Sequence, residues 1–481
     1  MVSPPILLRL DRNRPVCYDS LPTRYTALDA LQSRTLYCPS HFGNTYECAL
    51  DNEISDLLHE AKHWGFNRYA DWFDTIDLYD LYARSHRFHN MPEAVWARKF
   101  SNFACAAAEE LDLGLVVTPN HVFSDQVTDE NRATAGDRYF GQLVCPSKPG
   151  VTDMILGNYR NIFRDFAQRG LELSCIAGGA YDYGGCACQE CAPWITAFGR
   201  LFLDIWQVAR EHFPAVQANL WAWWWSDEDH RQFSDWADRE ATEVFGAVAF
   251  HLPYGTSDYQ ARPIPRGASE QAFVHIGYGE RSNRDAYTHC GANIAAQRLE
   301  RTVRYLDSRG ATGFLAYSEG ANDDINKALL GGLASSQYAN ADELLAAYAE
   351  RYFGPSPDGW SELLRLLGDF ESIDVKRCRP LFSTLERGAR PGWRLEQIRG
   401  RLEMAEASQA VANNSAWDAR RRTSARTFID VKQRLYRDVW RLGLPRHIFR
   451  FDSYMPEWYD EYAALEGAQA LPGTGSLHRE A

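Results

Sequence analysis

The chain has 481 residues, 45% hydrophobic and 24% charged, a length that suits one large barrel plus a smaller domain. Its formal net charge of −13 disfavours nucleic acid and anionic membrane as partners, since both select basic patches. No apolar run approaches the roughly 20 residues of a membrane span.

The N-terminal stretch MVSPPILLRLDRNRPVCYDS breaks its short apolar run with Arg9, Asp11 and Arg12, so no signal peptide is read there. Eleven cysteines, an odd count, then favour reduced thiols in the cytoplasm over a disulfide framework. Aromatic residues reach 13%, with 15 tryptophans. Such rings stack sugar faces in carbohydrate sites, and they also dominate ordinary cores.

Strand-like runs recur along the chain. Arg34–His41 is the first; a helix over Ile54–Trp64 leads to the second, Asn67–Phe73. A helix around Pro92–Leu111 precedes the third, Leu113–Pro119. A long connection containing Cys145 and Lys148 leads to a helix over Val151–Arg169 and the fourth strand, Glu172–Ala177, which runs into Asp182. Helix Ile195–Phe213 leads to the fifth strand, Val216–Trp225. Gly246–Leu252, Gln271–Tyr278 and Gly313–Ser318 are the sixth to eighth, with helix Gly291–Arg309 before the last and Glu319 after it.

Eight apolar strands alternating with helices match the count of an α/β, (β/α)8 TIM barrel. Runs such as LGLVV and GAVAF are nearly continuously apolar, as parallel strands covered on both faces should be. A doubly wound open sheet would also alternate, but the glycine-rich phosphate turn after its first strand is missing. Beyond the barrel the pattern is helical: Asn340 caps Ala341–Tyr352 with Glu343 placed to reciprocate, and Trp360–Phe370, Trp393–Asn413 and Trp417–Trp440 follow. The expected division is an N-terminal extension (1–32), a barrel (33–335), a C-terminal all-helical domain (336–460) and a loose polar tail (461–481).

In such a barrel the strand ends converge on one face and build the site. Those ends carry Ser40 and His41; Asp71 and Asp74; Asn120 and His121; Asp182; Trp223, Trp225 and Asp227; His251 and Tyr254; Tyr278, Glu280 and Arg281; Tyr317 and Glu319. There is no Gly-x-Ser-x-Gly elbow, no lysine inside an apolar barrel strand and no His-x-His pair closing a strand. These absences speak against an α/β-hydrolase, a Schiff-base aldolase and a metal-dependent amidohydrolase.

The remaining set fits glycoside hydrolysis, which needs one acid to protonate the leaving oxygen and a second carboxylate as nucleophile or base. Asp182 and Glu319 lead, from strands on opposite sides of the barrel, with no catalytic cofactor; Asp227, Asp71 and Glu280 stand in reserve. Any of these acids could instead cap a helix or pair with an arginine. A sugar would meet His41, Asp71, Asn120, His121, Trp225, Asp227, Tyr254, Tyr278 and Tyr317, while Lys148, Arg281 and Arg284 could hold an acidic group. Strand alternation puts Trp221, Trp223 and Trp225 on one face. Trp225, nearest the end, is then the stacking platform and the deeper rings are core.

Cys186, Cys188 and Cys191 follow Asp182 at once. Three thiols within six residues suit a structural zinc, which needs a fourth ligand, either Cys145 or Cys290. The bland alternative is reduced, unliganded cysteines.

The blocks YDYGGCACQECAPW and GFLAYSEGANDDINKALLGGLASSQYANADELLAAYAERYFG resemble those of bacterial glycoside-hydrolase-like barrels, similar in layout to the family 67 α-glucuronidases and the family 20 and 84 hexosaminidases. By strand order the resemblance covers roughly Thr35–Gly354. It implies a catalytic acid at Asp182 and a later acidic strand end at Glu319, with Asp323, Asp324 and Asn326 behind it. Tyr183 stands where the hexosaminidases carry the second residue of an Asp-Glu pair, which speaks against substrate-assisted hydrolysis. The α-glucuronidases use glutamate as the acid, one methylene longer than Asp182. Two rival readings stay open: a sugar lyase or isomerase on the same barrel, and a non-catalytic carbohydrate-binding barrel. A homo-oligomer stays open as well.

Overall fold

A computed structural model describes residues 30–39, 46, 49–73, 92–123, 126–134, 143–180, 184–253, 255–280, 291–440 and 456–465, with backbone alone at 92–96. Eight strands pair in parallel and in chain order into a closed barrel. They are β1 (Ser33–Tyr37), β2 (Arg68–Trp72), β3 (Asp112–Val117), β4 (Leu173–Gly179), β5 (Gln217–Ala222), β6 (Phe245–His251), β7 (Ser269–His275) and β8 (Gly313–Tyr317). β8 closes on β1 in the register Tyr37↔Tyr317, so none of these eight strands is left as an edge.

Each strand begins within two residues of its expected start, because the apolar runs themselves mark the segments buried on both faces. Around the barrel run α1 (Asp51–His63), α2 (Pro92–Ala108), α3 (Val151–Gln168), α4 (Trp194–His212), α5 (Asp227–Glu240), α6 (Ala296–Arg309) and α7 (Asp324–Ala334). Between β6 and β7 no helix lies among the described residues.

The strands sort their side chains into two layers. Leu36, Leu115, Ile176, Leu220, Val248, Val274 and Phe314 face outward into one continuous core shared with the helices. Tyr37, Trp72, Val116, Ala177, Trp221, Phe273, Leu315 and Tyr317 fill the inside. Trp221 stacks on Phe273 with ring centroids 4.6 Å apart and planes 11° apart. Tyr37 meets Trp221 edge-on at 6.0 Å. Aromatic pairs of this kind contribute about 0.5–1.5 kcal/mol each beyond buried area, and they make the barrel centre a packed floor rather than a pore.

The C-terminal part is helical, with α8 (Ala341–Tyr352), α9 (Pro357–Leu366), α10 (Val375–Glu386), α11 (Trp393–Ala412), α12 (Ala419–Arg434) and α13 (Tyr459–Leu465). α8 has the bounds its cap implied. The Asn340 side chain accepts from Glu343 N at 3.0 Å. The returning Glu343 carboxylate accepts from Ala339 N at 3.1 Å, one residue before the cap. α9 starts three residues before the expected Trp360, at a proline whose fixed φ suits the first helical turn. α12 passes into a π-turn over Leu435–Val439. The buried Trp440 donates to Gln397 Oε1 at 2.9 Å, which ties that turn to α11. No described helix is long and apolar enough to cross a membrane.

Candidate active site at the barrel mouth

The C-terminal ends of β5 to β8 supply a ring of aromatic and imidazole side chains. Register places Tyr37, Tyr317 and His275 side by side on β1, β8 and β7. His275 lies 5.2 Å from the Tyr317 ring, 5.5 Å from Tyr278 and 5.4 Å from His251. The Trp223 ring packs 4.2 Å from His251 and 5.2 Å from His275. On the β2–β3 side Trp72 and His121 are 6.5 Å apart. Just beyond β8, the Tyr317 hydroxyl donates to Glu319 Oε1 at 2.5 Å, and the Glu319 side chain is half-buried.

Burial sets the charge state of two of these imidazoles. It lowers the His251 pKa to about 4 and pushes His121 well below the ordinary range, so both are neutral near pH 7. A neutral imidazole both donates and accepts, which suits hydroxyl groups better than anions.

Several expected site residues stand elsewhere. Trp225 is corrected from stacking platform to core: it is buried, packed on Phe233 at 4.9 Å, His230 at 5.2 Å and Phe198 at 6.1 Å beneath α4 and α5. The reason is local. β5 ends at Ala222, and Trp224 takes φ 57°, a left-handed conformation costly for a bulky residue. Two-residue alternation stops there. Trp224 is turned out 52% exposed, 5.7 Å from the His251 ring, and becomes the ring at the rim.

Asp71 is corrected too. It points out of the barrel toward α2 and is fully buried, 3.4 Å from Lys99 Nζ, and it accepts from the Tyr69 hydroxyl at 3.2 Å. The inward residue of that strand end is Trp72. Asp227 opens α5 as an exposed partner of Arg262 at 2.5 Å. Lys148 is exposed in the turn after Cys145, its carbonyl accepting from Val151 N at 3.2 Å. Glu280 caps α6, accepting from Gln297 N at 2.8 Å and Arg298 N at 2.9 Å.

Behind Glu319 the acidic block is structural. Asp323 is buried against Lys327 and accepts from the Ser318 hydroxyl at 2.8 Å. Asp324 pairs with Arg394 at 2.5 Å and accepts from Tyr348 at 3.0 Å. The Asn326 amide donates to the carbonyls of Ile276 and Tyr278 at 2.6 and 3.2 Å, holding the β7 end against α7. Asn120 is buried just past the β3 end, its carbonyl accepting from Val144 N at 3.2 Å.

His41, Asp182, Tyr254 and Arg281 lie outside the described residues, as do Ser40, Asp74, Arg284 and Cys290. Tyr37, Trp72 and His275 were missed in the sequence. Each lies on the inward side of its strand end, and for His275 two-residue alternation from Phe273 carries the signal.

A cavity of about 540 Å³ is lined by α1, the β8–α7 connection and the start of α11, and by none of the ring residues above. Among its charged lining groups, Glu60 pairs with Arg351 and Asp324 with Arg394.

No family model and no curated protein matches this sequence. Solved structures do. A family GH115 4-O-methyl-α-glucuronidase with specificity for decorated arabinogalactans aligns over 89% of this chain and 62% of its own, at TM-score 0.56 and 10% identity. A GH5_18 enzyme from Streptomyces cattleya in complex with GlcNAc aligns over 64% and 81% at TM-score 0.41 and 12% identity. A GH138 enzyme targeting pectin rhamnogalacturonan II aligns over 86% and 60% at 0.40 and 11%. The chain therefore spans 62% of the length of the GH115 structure. At 10% identity that likeness bears on the fold, and the class is a (β/α)8 barrel followed by helices.

Proposed function

We propose that this protein is a glycoside hydrolase acting on a small oligosaccharide or glycoside. The observation that carries the reading is the half-buried Glu319 carboxylate, held by the Tyr317 hydroxyl beside a ring of His275, His251, Tyr278 and tryptophan side chains. Sugars offer apolar ring faces and many hydroxyls. Aromatic rings match the faces, and neutral imidazoles match the hydroxyls.

In this reading Glu319 is one working carboxylate and Asp182, on the connection after β4, is the other. One protonates the leaving oxygen, and the second acts as nucleophile or as base toward water. The Tyr317 hydroxyl orients the Glu319 carboxylate, and we assign Glu319 as the nucleophile or base. Asp182 is then the acid. The enzyme would work on imported substrate in the cytoplasm, where its thiols stay reduced.

A panel of aryl glycosides and oligosaccharides, uronic-acid-bearing ones included, tests the proposal, with product anomers followed by NMR. Turnover that collapses in both Asp182→Asn and Glu319→Gln is the expected result. Losses under tenfold in both variants overturn the assignment. Turnover that requires an added divalent metal points instead to a lyase or isomerase, and sugar binding without turnover points to a binding barrel.

A further inference from the structure

We infer that Cys145, Cys186, Cys188 and Cys191 form a structural zinc site that stitches together two loops at the catalytic end of the barrel. The four Sγ atoms all lie within 4.8 Å of one another. Cys145 Sγ is 3.7 Å from Cys188 Sγ and 3.7 Å from Cys191 Sγ. A tetrahedron with zinc–sulfur bonds of about 2.3 Å has edges of about 3.8 Å. Sulfurs joined in a disulfide would sit about 2.05 Å apart. The spacing is that of four ligands around one ion, and it is too tight to wrap an iron–sulfur cluster.

The surroundings agree. Three of the sulfurs are buried in a small cluster of their own, apart from the apolar core. Thr134 N donates to Cys186 Sγ at 3.3 Å, and the Ser147 hydroxyl lies 2.9 Å from Cys145 Sγ. Four thiolates around a dication keep two net negative charges, which such N–H and O–H donors offset. The backbone is fixed as well: Cys191 N donates to Cys188 O at 3.2 Å, Lys148 N to Cys145 O at 3.1 Å, Cys145 N to Asn131 O at 2.8 Å and Ala187 N to Thr134 O at 3.1 Å.

The placement gives the site its purpose. Cys145 lies in the connection from β3 to α3, while the other three lie between β4 and α4, just after Asp182. Four protein ligands close the coordination sphere, so the ion would take no substrate. It would instead clamp together the connections that leave the C-terminal ends of β3 and β4.

The test is metal content and spectroscopy on the full chain, which does not depend on the catalytic reading. Elemental analysis of protein purified from zinc-supplemented culture should give one zinc per chain. Cobalt substituted into the native protein should show the visible bands of a tetrahedral thiolate complex. Cys188→Ser, at the most exposed of the four sulfurs, should cut zinc content well below one per chain and abolish those bands. Should that variant fail to fold, the native zinc content and cobalt spectrum still decide. Metal-free native protein with freely reactive thiols overturns the proposal, as does a Cys145 disulfide found by mass spectrometry, or iron in place of zinc.

Discussion

The hydroxyl of Tyr317 donates to Oε1 of Glu319 across 2.5 Å, joining the last inward ring of β8 to the first carboxylate beyond it. Two residues apart in sequence, they mark where the packed aromatic floor of the barrel gives way to groups that can do chemistry. If Glu319 is a working carboxylate, Glu319→Gln should lower kcat by about 10²–10⁴-fold with little change in melting temperature. Tyr317→Phe keeps the ring and removes the donor, and should cost roughly tenfold. Steady-state kinetics with an aryl glycoside check both, and equal losses in the two variants would contradict the assignment.

The tryptophans at the β5 end should separate cleanly. Trp224 stands 52% exposed beside His251, whereas Trp225 is buried under α4 and α5. Trp224→Ala should raise KM about tenfold, the equivalent of roughly 1.4 kcal/mol, and leave stability nearly unchanged. Trp225→Ala should leave KM alone and destabilise by about 3–5 kcal/mol through the cavity it opens. Urea unfolding read alongside KM distinguishes the two, and the opposite pattern would restore Trp225 to the site.

Acid should weaken the fold through buried histidines. Burial holds His230 and His251 each near a pKa of about 4, whereas an unfolded histidine titrates near ~6.5. The unfolded chain therefore takes up protons that the folded one refuses. Stability is full above about pH 6.5 and is lost as pH falls toward 4, by about 2 kcal/mol per histidine at pH 5. Urea midpoints at pH 7.5 and pH 5 should show this fall, and it should shrink in His230→Asn. A midpoint independent of pH would refute it.

Lys99 and Asp71 form a fully buried ion pair between α2 and β2. Removing one partner strands a charge in the wall of the barrel. Lys99→Met should cost about 3–5 kcal/mol, and adding Asp71→Asn should recover part of that loss. Thermal melts of the single and double variants give the coupling. If the double variant were no more stable than the single, Asp71 would owe nothing to Lys99.

The barrel was legible in the residues alone. Apolar runs such as LGLVV and GAVAF, spaced by amphipathic helices, permit few other closed arrangements, and burial on both faces is written directly into composition. The cap at Asn340 was legible for the same local reason, as was the proximity of three cysteines. Which way each strand-end residue faces emerges only from the closed barrel. Near Asp71 and Trp72 a shift of one position exchanges the inside of the barrel for its wall. At Trp224 a single left-handed residue moves the exposed ring from position 225 to 224. The choice of Cys145 to complete the thiol cluster likewise depends on two loops meeting in space, which no short-range pattern records. Periodicity fixes which segments are buried; facing at their ends depends on the last hydrogen-bonded residue of each strand, and only the closed barrel sets that.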